Sequence, residues 1–503
     1  MIKFRSRIPD PAFPSVTSGK NGPNPHELGQ RPELILYWLL AGSFLVILHL
    51  LLVHLSPYLG YGAPRPTGAI LVLVGIEVVA GAVYLTLVWR MPEVEPGAHL
   101  LAWILLVGLV MRLIMLDSTP MLSGDYYRYL WDGAMVVNGF NPYQYTPAAV
   151  ISGTGVPEAL RQLAFQSGLV IGHISHPTLP SISPPFSQVI FALAYWLDPF
   201  SVTTLRLVLL GFEVITLALL VLLLRSLNLP LAALAIYWWN PLLVKEIINS
   251  CHMDVLALPW LLGAAWFVLK AEPGRSFTAL AGGVATEIWP LALLPLAARA
   301  FKGQAKRMVL GLGLLVVLVG ISFIPVYFGD LEAFSRFWVY ARDLQMNDVV
   351  FKVFHWGFGW LFLGLDFASS AGAFDATWIL VGVLLAAWVI WLAIRPVADG
   401  LDFARRGVLI LAVLFFLSPT QFPWYYAWLV PFLVLQPRGS LLLLTALLPL
   451  YYLRYFFLER GQVHIFDYGI VWAEYVPVWF LLIREFWVSR KASTQPEPEG
   501  EGA

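Results

Sequence analysis

One short stretch of the sequence places two carboxylates and an arginine just beyond a long apolar segment. It reads Ser123-Gly-Asp-Tyr-Tyr-Arg-Tyr-Leu-Trp-Asp-Gly133. If this stretch is helical, residues at positions i, i+3, i+4 and i+7 share one face. The residues at these positions are Asp125, Arg128, Tyr129 and Asp132. A carboxylate held in this way can accept a proton from a substrate, and we predict that Asp125 is a general base.

An alternative for this face is a local ion pair between Asp125 and Arg128. Arg128 can also neutralise Asp132, which would leave one carboxylate available. We therefore predict Asp125 as the base, oriented by Arg128, and Asp132 as the structural partner of Arg128. Asn141 and Tyr143 follow within a Pro-containing stretch. They either form rigid turns that anchor a loop to the membrane interface or contact a substrate.

The composition indicates what must position these residues. The 503 residues are 59% hydrophobic and 12% charged, whereas about 25% of an average soluble domain is charged. Apolar stretches long enough to cross a bilayer recur from Leu34 to Trp487, and helices satisfy backbone polar groups in lipid. The sequence therefore predicts an all-α, polytopic transmembrane helical bundle with about 12 to 14 crossings. The formal net charge of zero gives no basic field for nucleic acid.

The chain divides into a transmembrane domain and two polar ends. We predict a cytoplasmic N-terminal segment over 1–33, a membrane domain over 34–486 and a disordered cytoplasmic tail over 487–503. No cleaved signal peptide is predicted, so the first span is expected to remain as an anchor. A first outer loop over 117–185 is expected to contain short interfacial helices, and a second outer loop covers 329–350.

The distribution of basic residues predicts which side each loop faces. Arginines and lysines collect on the cytoplasmic side if the apolar segments 187–199 and 351–365 do not cross and if 276–300 bends near Glu287. Pro290 after Glu287 favours such a bend because proline breaks the helical hydrogen-bond ladder. This topology places both termini in the cytoplasm of a bacterial-type plasma membrane and gathers the polar residues on the outer side.

Further candidate residues interrupt apolar segments in the middle of the chain. They are Lys245, Glu246, His252, Asp254 and Glu287. Ionisable residues inside a membrane are costly and usually line cavities or pathways, so we predict that these bind substrate. The alternative for Glu246 and Asp254 is mutual neutralisation with Lys245.

The second outer loop and the helix after it supply other polar residues. The candidates are Arg336, Tyr340, Arg342, Asn347 and His355. A solvated loop explains most of them, whereas a loop closed over a cavity would let its cations neutralise a phosphate. His173 and His176 are three residues apart and have no third ligand at a recognisable spacing, so no metal is predicted.

The motifs together resemble a known superfamily. The Asp125 stretch and Asn138-Gly-Phe-Asn-Pro-Tyr143 are similar to the first outer loop of the GT-C superfamily of polyprenyl-phosphate-sugar glycosyltransferases, nearest to the bacterial mannosyltransferase-like group. The resemblance covers about residues 100 to 435. Its supporting motifs are Ser183-Pro-Pro185, Asn240-Pro-Leu-Leu-Val-Lys-Glu246 with Asp254, and Ser418-Pro-Thr420 with Pro423-Trp-Tyr425.

The resemblance implies an inverting sugar transfer on the outer face of the membrane. Asp125 matches the loop carboxylate of the superfamily, and Glu246 or Asp254 lies near its second acidic position. Many relatives have a lysine where this chain has Glu287, so the phosphate contact made there is in doubt. A hexose such as mannose is expected.

The expected partners are a polyprenyl-phosphate sugar donor, a lipid or glycan acceptor and membrane lipids, with no cofactor and no nucleic acid. The competing function is a lipid or sugar transporter or flippase, which also needs intramembrane charges and broken helices. Transporters often contain internal repeats, and the loop at 117–185 has no counterpart in the second half of the chain.

Overall fold

The fold is built from helices throughout the part of the chain that the structure describes. A computed structural model describes residues 32–62, 64–91, 97–329, 345–364 and 370–494. Besides helices, these residues form two isolated β-bridges, and no strand. The first three helices are α1 (Pro32–Leu55), α2 (Thr67–Trp89) and α3 (Ala98–Met115).

These three helices agree with the apolar segments at the start of the membrane domain. Each is long and apolar enough to cross a bilayer. α1 packs against α2 and α3, and large apolar side chains such as Leu40 and Ile47 remain exposed on its other side. A helix that is apolar all round and half exposed fits a lipid environment.

The predicted first outer loop is rich in short helices. Its helices are α4 (Asp125–Val137), α5 (Pro147–Ser152) and α6 (Glu158–Gln166), and they are followed by α7 (Pro185–Leu197). α4 packs closely on α7 at Gly133, where a Cβ atom would lie 2.3 Å from the backbone oxygen of Phe191. Only glycine allows this approach. The motif therefore contains a packing residue that fixes the helix carrying Asp125.

The central part of the chain contains broken helices. Its helices are α8 (Val202–Ser226), α9 (Leu234–Trp238), α10 (Pro241–Leu243), α11 (Leu258–Leu269), α12 (Pro273–Thr286), α13 (Leu294–Ala300), α14 (Ala305–Ser322) and α15 (Ile324–Tyr327). The chain bends by 46° between 231–238 and 241–249, at Asn240-Pro241. Proline at the start of the second piece explains the bend, since it has no N–H to continue the ladder.

The predicted break at Glu287 is confirmed. α12 ends at Thr286, and Glu287 adopts an extended conformation with φ −150° and ψ 142°. A 3-10 turn over Trp289–Leu293 then leads into α13. Proline at the second position of that turn again prevents a continuous helix.

The C-terminal part continues the bundle. Its helices are α16 (Val350–Gly364), α17 (Ser370–Ile394), α18 (Gly400–Leu417), α19 (Val430–Leu435), α20 (Gly439–Leu447), α21 (Leu453–Leu458), α22 (Val463–Ile465) and α23 (Val471–Thr494). Short 3-10 or π-helical turns connect many helices, at Ser56–Leu59, Ile171–His173, Leu231–Ala233, Val244–Asn249, Met253–Ala257, Lys302–Gln304, Pro423–Trp428, Leu448–Tyr452 and Phe466–Ile470.

The predicted fold class, an all-α polytopic bundle, is confirmed. Within the described ranges, eight helices are long and apolar enough to cross a membrane, or up to nine if the bent pair is one span. The predicted 12 to 14 crossings require the shorter apolar helices as well. That number stays a prediction, as do the domain bounds.

Candidate active site

A cavity of about 610 Å³ lies where the loop over 117–185 meets the central breaks and the C-terminal half. This volume is within the roughly 300 to 1,000 Å³ of small-molecule sites. Five residues predicted from the sequence line it, namely Asp125, Arg128, Tyr129, Asp254 and Glu287. The folded chain therefore brings three carboxylates from well-separated parts of the sequence to one wall.

Asp125 lies in the first turn of α4, and its side chain is 45% exposed. That exposed part faces the cavity, whose walls limit solvation of the carboxylate. Burial in these walls raises the pKa of Asp125 to about 6, and the charge of Arg128 opposes the rise. Asp125 is therefore ionised at neutral pH and basic enough to accept a proton.

The loop that carries Asp125 is held by two buried residues that the sequence analysis missed. Arg206 of α8 donates hydrogen bonds to the backbone oxygens of Leu116 and Ser118, at 2.9 and 2.7 Å. Asn249 donates to the backbone oxygen of Thr119 at 2.8 Å and accepts one from the backbone N–H of Met121 at 2.9 Å. These bonds fix the chain just before α4.

Arg128 holds the backbone of residues 175–179 through hydrogen bonds. Its guanidinium donates hydrogen bonds to the backbone oxygens of Ser175, His176 and Leu179, at 3.3, 3.1 and 3.1 Å. These three residues also line the cavity, so Arg128 shapes its rim. Burial lowers the pKa of Arg128, and the charges of Asp132 and Asp125 oppose that effect.

Asp132 is buried away from the cavity. It accepts hydrogen bonds from the Ser181 hydroxyl and from Gln188, whose nitrogen lies 3.2 Å away. Burial raises the pKa of Asp132, while Arg128 and these hydrogen bonds lower it. The predicted pairing with Arg128 is therefore electrostatic only, because the guanidinium is already directed at the rim carbonyls.

Asn141 and Tyr143 also lie off the cavity wall. Asn141 donates a hydrogen bond to the backbone oxygen of Pro325 at 2.8 Å, and the Tyr143 hydroxyl donates to the backbone oxygen of Ser183 at 2.7 Å. The Asn141 side-chain oxygen accepts a bond from the backbone N–H of Tyr143 at 3.0 Å. These contacts favour the rigid-turn interpretation over substrate contact.

Asp254 and Glu287 face the cavity beside an aromatic cluster. Trp428 donates a hydrogen bond to Asp254 at 2.7 Å, and its ring stacks on Trp289 and Tyr425 with ring centroids 4.6 and 4.8 Å apart. Asp254 is thus hydrogen-bonded to Trp428, which does not favour the alternative of neutralisation by Lys245. Carboxylates that accept hydroxyl hydrogens beside flat aromatic faces suit a polyhydroxylated ligand.

Lys245, Glu246 and His252 lie behind the cavity wall and are fully buried. Lys245 lies 3.4 Å from the Glu246 carboxylate, and this contact favours the alternative of mutual neutralisation over the predicted substrate binding. The Tyr452 hydroxyl donates a hydrogen bond to Glu246 and accepts one from Lys245. His252 lies between Glu246 and Asp125.

Among the candidates from 329–355, Asn347 and His355 do not line the cavity. Arg336, Tyr340 and Arg342 lie outside the described ranges. Asn347 is buried and donates hydrogen bonds to Glu474 at 3.0 Å and to the backbone oxygen of Gln421 at 3.2 Å. His355 lies against the ring of Phe374 with centroids 5.9 Å apart.

Arg454 on α21 is a charged cavity residue that the sequence analysis missed. It lines the cavity next to Tyr451 and Tyr455. Unlike the guanidinium of Arg128, that of Arg454 has no hydrogen-bond acceptor within the described ranges. The signal in the sequence was a lone arginine inside the aromatic stretch Tyr451-Tyr-Leu-Arg-Tyr455, in a segment treated only as an apolar span.

The described residues form no cluster of three or more His, Cys, Asp or Glu side chains that could hold a metal ion. The wall of the cavity instead combines three acids with two arginines and aromatic rings. Such a set can accept a proton, bind hydroxyls and stabilise a leaving anion without further groups. Independence from a cofactor stays a prediction.

Comparison with protein families identifies relatives of the first half of the chain. Residues 39–304 match the model of the MptA_B family, described as alpha-(1->6)-mannopyranosyltransferase, N-terminal domain. The match covers more than half of the chain and includes Asp125, His252 and Glu287, whereas Arg454 lies beyond it. No curated protein and no solved structure matches the chain.

Proposed function

The chain belongs to the alpha-(1->6)-mannopyranosyltransferase family and is a membrane mannosyltransferase of the GT-C type, and from this premise we propose its donor, stereochemistry and side of action. The donor is a polyprenyl-phosphate mannose, and the acceptor is a hydroxyl of a lipid or glycan. Transfer inverts the anomeric carbon on the outer face of the membrane. An α product formed by inversion requires a β-linked mannosyl phosphate.

The observation that carries this proposal is the position of Asp125. An ionised carboxylate with a pKa of about 6 faces a cavity of about 610 Å³ lined by two arginines. Inverting transfer needs one base for the acceptor proton and one cationic site for the departing phosphate. A transporter needs no site for a leaving group.

The reaction proceeds in one displacement. The acceptor oxygen attacks the anomeric carbon while its proton passes to Asp125. The bond between the anomeric carbon and the phosphate oxygen breaks, and polyprenyl phosphate leaves with the electron pair. Arg454 stabilises that anion, since its guanidinium has no other hydrogen-bond partner among the described residues.

The other cavity residues hold the sugar. Asp254 and Glu287 accept hydrogen bonds from mannose hydroxyls, while Tyr425 covers an apolar sugar face. Arg128 keeps the rim in place through its bonds to 175–179. The prenyl chain of the donor remains in the surrounding lipid.

The length of α8 supports action on the outer face. Arg206, near its beginning, contacts the backbone just before the Asp125 loop. Arg225, near its end, lies about 28 Å further along the helix axis at 1.5 Å per residue. The cavity and Arg225 are thus at opposite ends of one span. Basic helix ends favour the cytoplasm, which supports a cavity on the outer side and cytoplasmic termini.

The proposal is tested with purified protein, an acceptor extract of membrane lipids and glycans, and synthetic β-linked polyprenyl-phosphate mannose. We expect release of polyprenyl phosphate and an α-linked mannose in the product, measured by mass spectrometry and NMR. A parallel reaction contains a nucleotide sugar as the donor. Transfer from the nucleotide sugar alone, or a β-linked product, would overturn the proposal.

A further inference from the structure

His252 occupies the space between two carboxylates. Its Nδ1 atom lies 3.7 Å from Oδ2 of Asp125, and its Nε2 atom lies 3.5 Å from Oε2 of Glu246. The side chain is 1% exposed, and neither ring nitrogen has a hydrogen-bond partner within the described residues. A buried imidazole without partners requires an explanation.

The ring is held in one orientation. Trp424 stacks on it with centroids 3.9 Å apart and an interplanar angle of 9°. His252 follows the π-helical turn Val244–Asn249, and its backbone N–H donates a hydrogen bond to the backbone oxygen of Glu246 at 3.1 Å. This restraint keeps one nitrogen toward Asp125 and the other toward Glu246.

Glu246 is the anchored member of the group. It accepts a hydrogen bond from Tyr452 and pairs with Lys245, whose ammonium also lies 3.8 Å from the Tyr452 ring centroid. A carboxylate held in this way is positioned to accept an N–H from Nε2 of His252. The tautomer with a proton on Nε2 leaves the lone pair of Nδ1 facing Asp125.

We propose that His252 is the positioning residue that accepts a hydrogen bond from Asp125 once Asp125 has taken the acceptor proton. The inference rests on the proposed function. Before the reaction, the ionised Asp125 and the Nδ1 lone pair have no proton between them, which is consistent with their 3.7 Å separation. After the proton moves, the Asp125 hydroxyl donates to Nδ1, and Glu246 retains the proton on Nε2. The histidine therefore favours the transition state over the ground state.

The groups that influence this pair come from several elements. They are Arg128 and Tyr129 on α4, Lys245, Glu246 and Asp254 on the broken central segment, and Tyr452 and Tyr455 from the C-terminal half, while Glu77 on α2 acts on Lys245 and Glu246. Replacement of His252 removes none of these groups. A shift in the pH profile of a His252 variant is therefore assigned to the imidazole.

The test compares His252→Phe with wild type in the mannosyl-transfer assay. Phenylalanine retains the ring stacked on Trp424 but has no nitrogen. We expect kcat to fall on the order of ten- to a hundred-fold with KM unchanged, because the lost bond forms only in the transition state. The acid limb of the kcat/KM profile should move to lower pH by about half a unit or more. The limb moves in this direction because protonated Asp125 is less stable without the Nδ1 acceptor.

Partial recovery of kcat is expected in His252→Asn, whose amide oxygen can take the place of Nδ1. His49 of α1 provides the matched control. It is fully buried, its Nδ1 lies 2.8 Å from the backbone oxygen of Leu45, and it does not line the cavity. His49→Phe should leave the acid limb in place.

A double-mutant cycle separates positioning from a structural role. On the Asp125→Asn background, His252→Phe should cause no further loss of activity, since the proton has no carboxylate to occupy. Glu246→Gln provides a second variant if His252→Phe does not fold, and it should move the limb in the same direction. An acid limb that moves to higher pH, or does not move, would overturn the inference. If wild type transfers no mannose, the proposed function fails instead.

Discussion

Two buried groups of charges in this bundle differ in how well their hydrogen bonds are satisfied. In the first, Arg112 of α3 donates to both carboxylate oxygens of Glu213 on α8, at 2.8 and 2.7 Å. It also donates to the backbone oxygens of Gly108 and Trp238, at 3.0 and 2.7 Å. Both charged side chains are 0% exposed. This ion pair is complete without a ligand and joins three helices.

The second group lies around Asp125 and is incomplete. The ring nitrogens of His252 lie 3.7 Å from the Asp125 carboxylate and 3.5 Å from the Glu246 carboxylate. Neither nitrogen has a hydrogen-bond partner within the described ranges. The two carboxylate oxygens of Glu77 behind it are also unpartnered. Unsatisfied buried polar groups cost stability, so a protein retains them where they bind or move something. We therefore assign a stabilising role to the Arg112–Glu213 pair and a chemical role to the group around Asp125.

The largest effect should come from removing the base in the incomplete group. Asp125→Asn is expected to lower kcat by about a hundred- to ten-thousand-fold, because the amide cannot accept the proton. Its thermal unfolding should match that of wild type. The matched control is Asp198→Asn, an exposed carboxylate at the end of α7 that does not line the cavity. Wild-type turnover in Asp125→Asn would show that the group around Asp125 does not carry out the chemistry.

Breaking the complete group should affect stability instead. Glu213→Gln retains the shape but leaves the Arg112 charge uncompensated, which should lower the free energy of unfolding by about 3 to 5 kcal/mol. Chemical denaturation in detergent micelles measures this change. Activity per folded molecule should remain at the wild-type value. A specific loss of kcat without destabilisation would show that the two groups are not separate.

Removal of the cation near the leaving group should have the next largest effect. Arg454→Gln is expected to lower kcat about a hundred- to a thousand-fold, comparable to removal of one donor to a developing anion. Arg460→Gln is the control, since Arg460 is exposed and stacks on Phe456 away from the cavity. If Arg454→Gln is fully active, Arg336→Gln and Arg342→Gln test the predicted contribution of the second outer loop.

The smallest effect concerns pH in the unmodified protein. Burial raises the pKa of Asp125 to about 6, so the base is ionised above that pH and protonated below it. The value of kcat/KM should therefore fall about ten-fold for each unit that the pH decreases below 6. A profile that is flat down to pH 5 would indicate that another group accepts the proton.

Much of this architecture could be predicted from the sequence. Hydrophobic segments predicted the helices, and Pro290 predicted the break at Glu287, because both effects act over a few residues. Asp125 was likewise found from local spacing. In contrast, Asn141 and Tyr143 belong to the same motif but bind backbone, and Arg454 was missed entirely.

The sequence by itself determined an all-helical membrane chain, the break near Glu287 and the polar helix face that carries Asp125. These properties follow from hydropathy, proline chemistry and local residue spacing. Only the tertiary structure decided that Asp254, Glu287 and Arg454 share a cavity with Asp125 while Lys245, Glu246 and His252 lie behind it. Helix packing brings residues hundreds of positions apart to within a few ångströms, and no local pattern in the sequence encodes those distances.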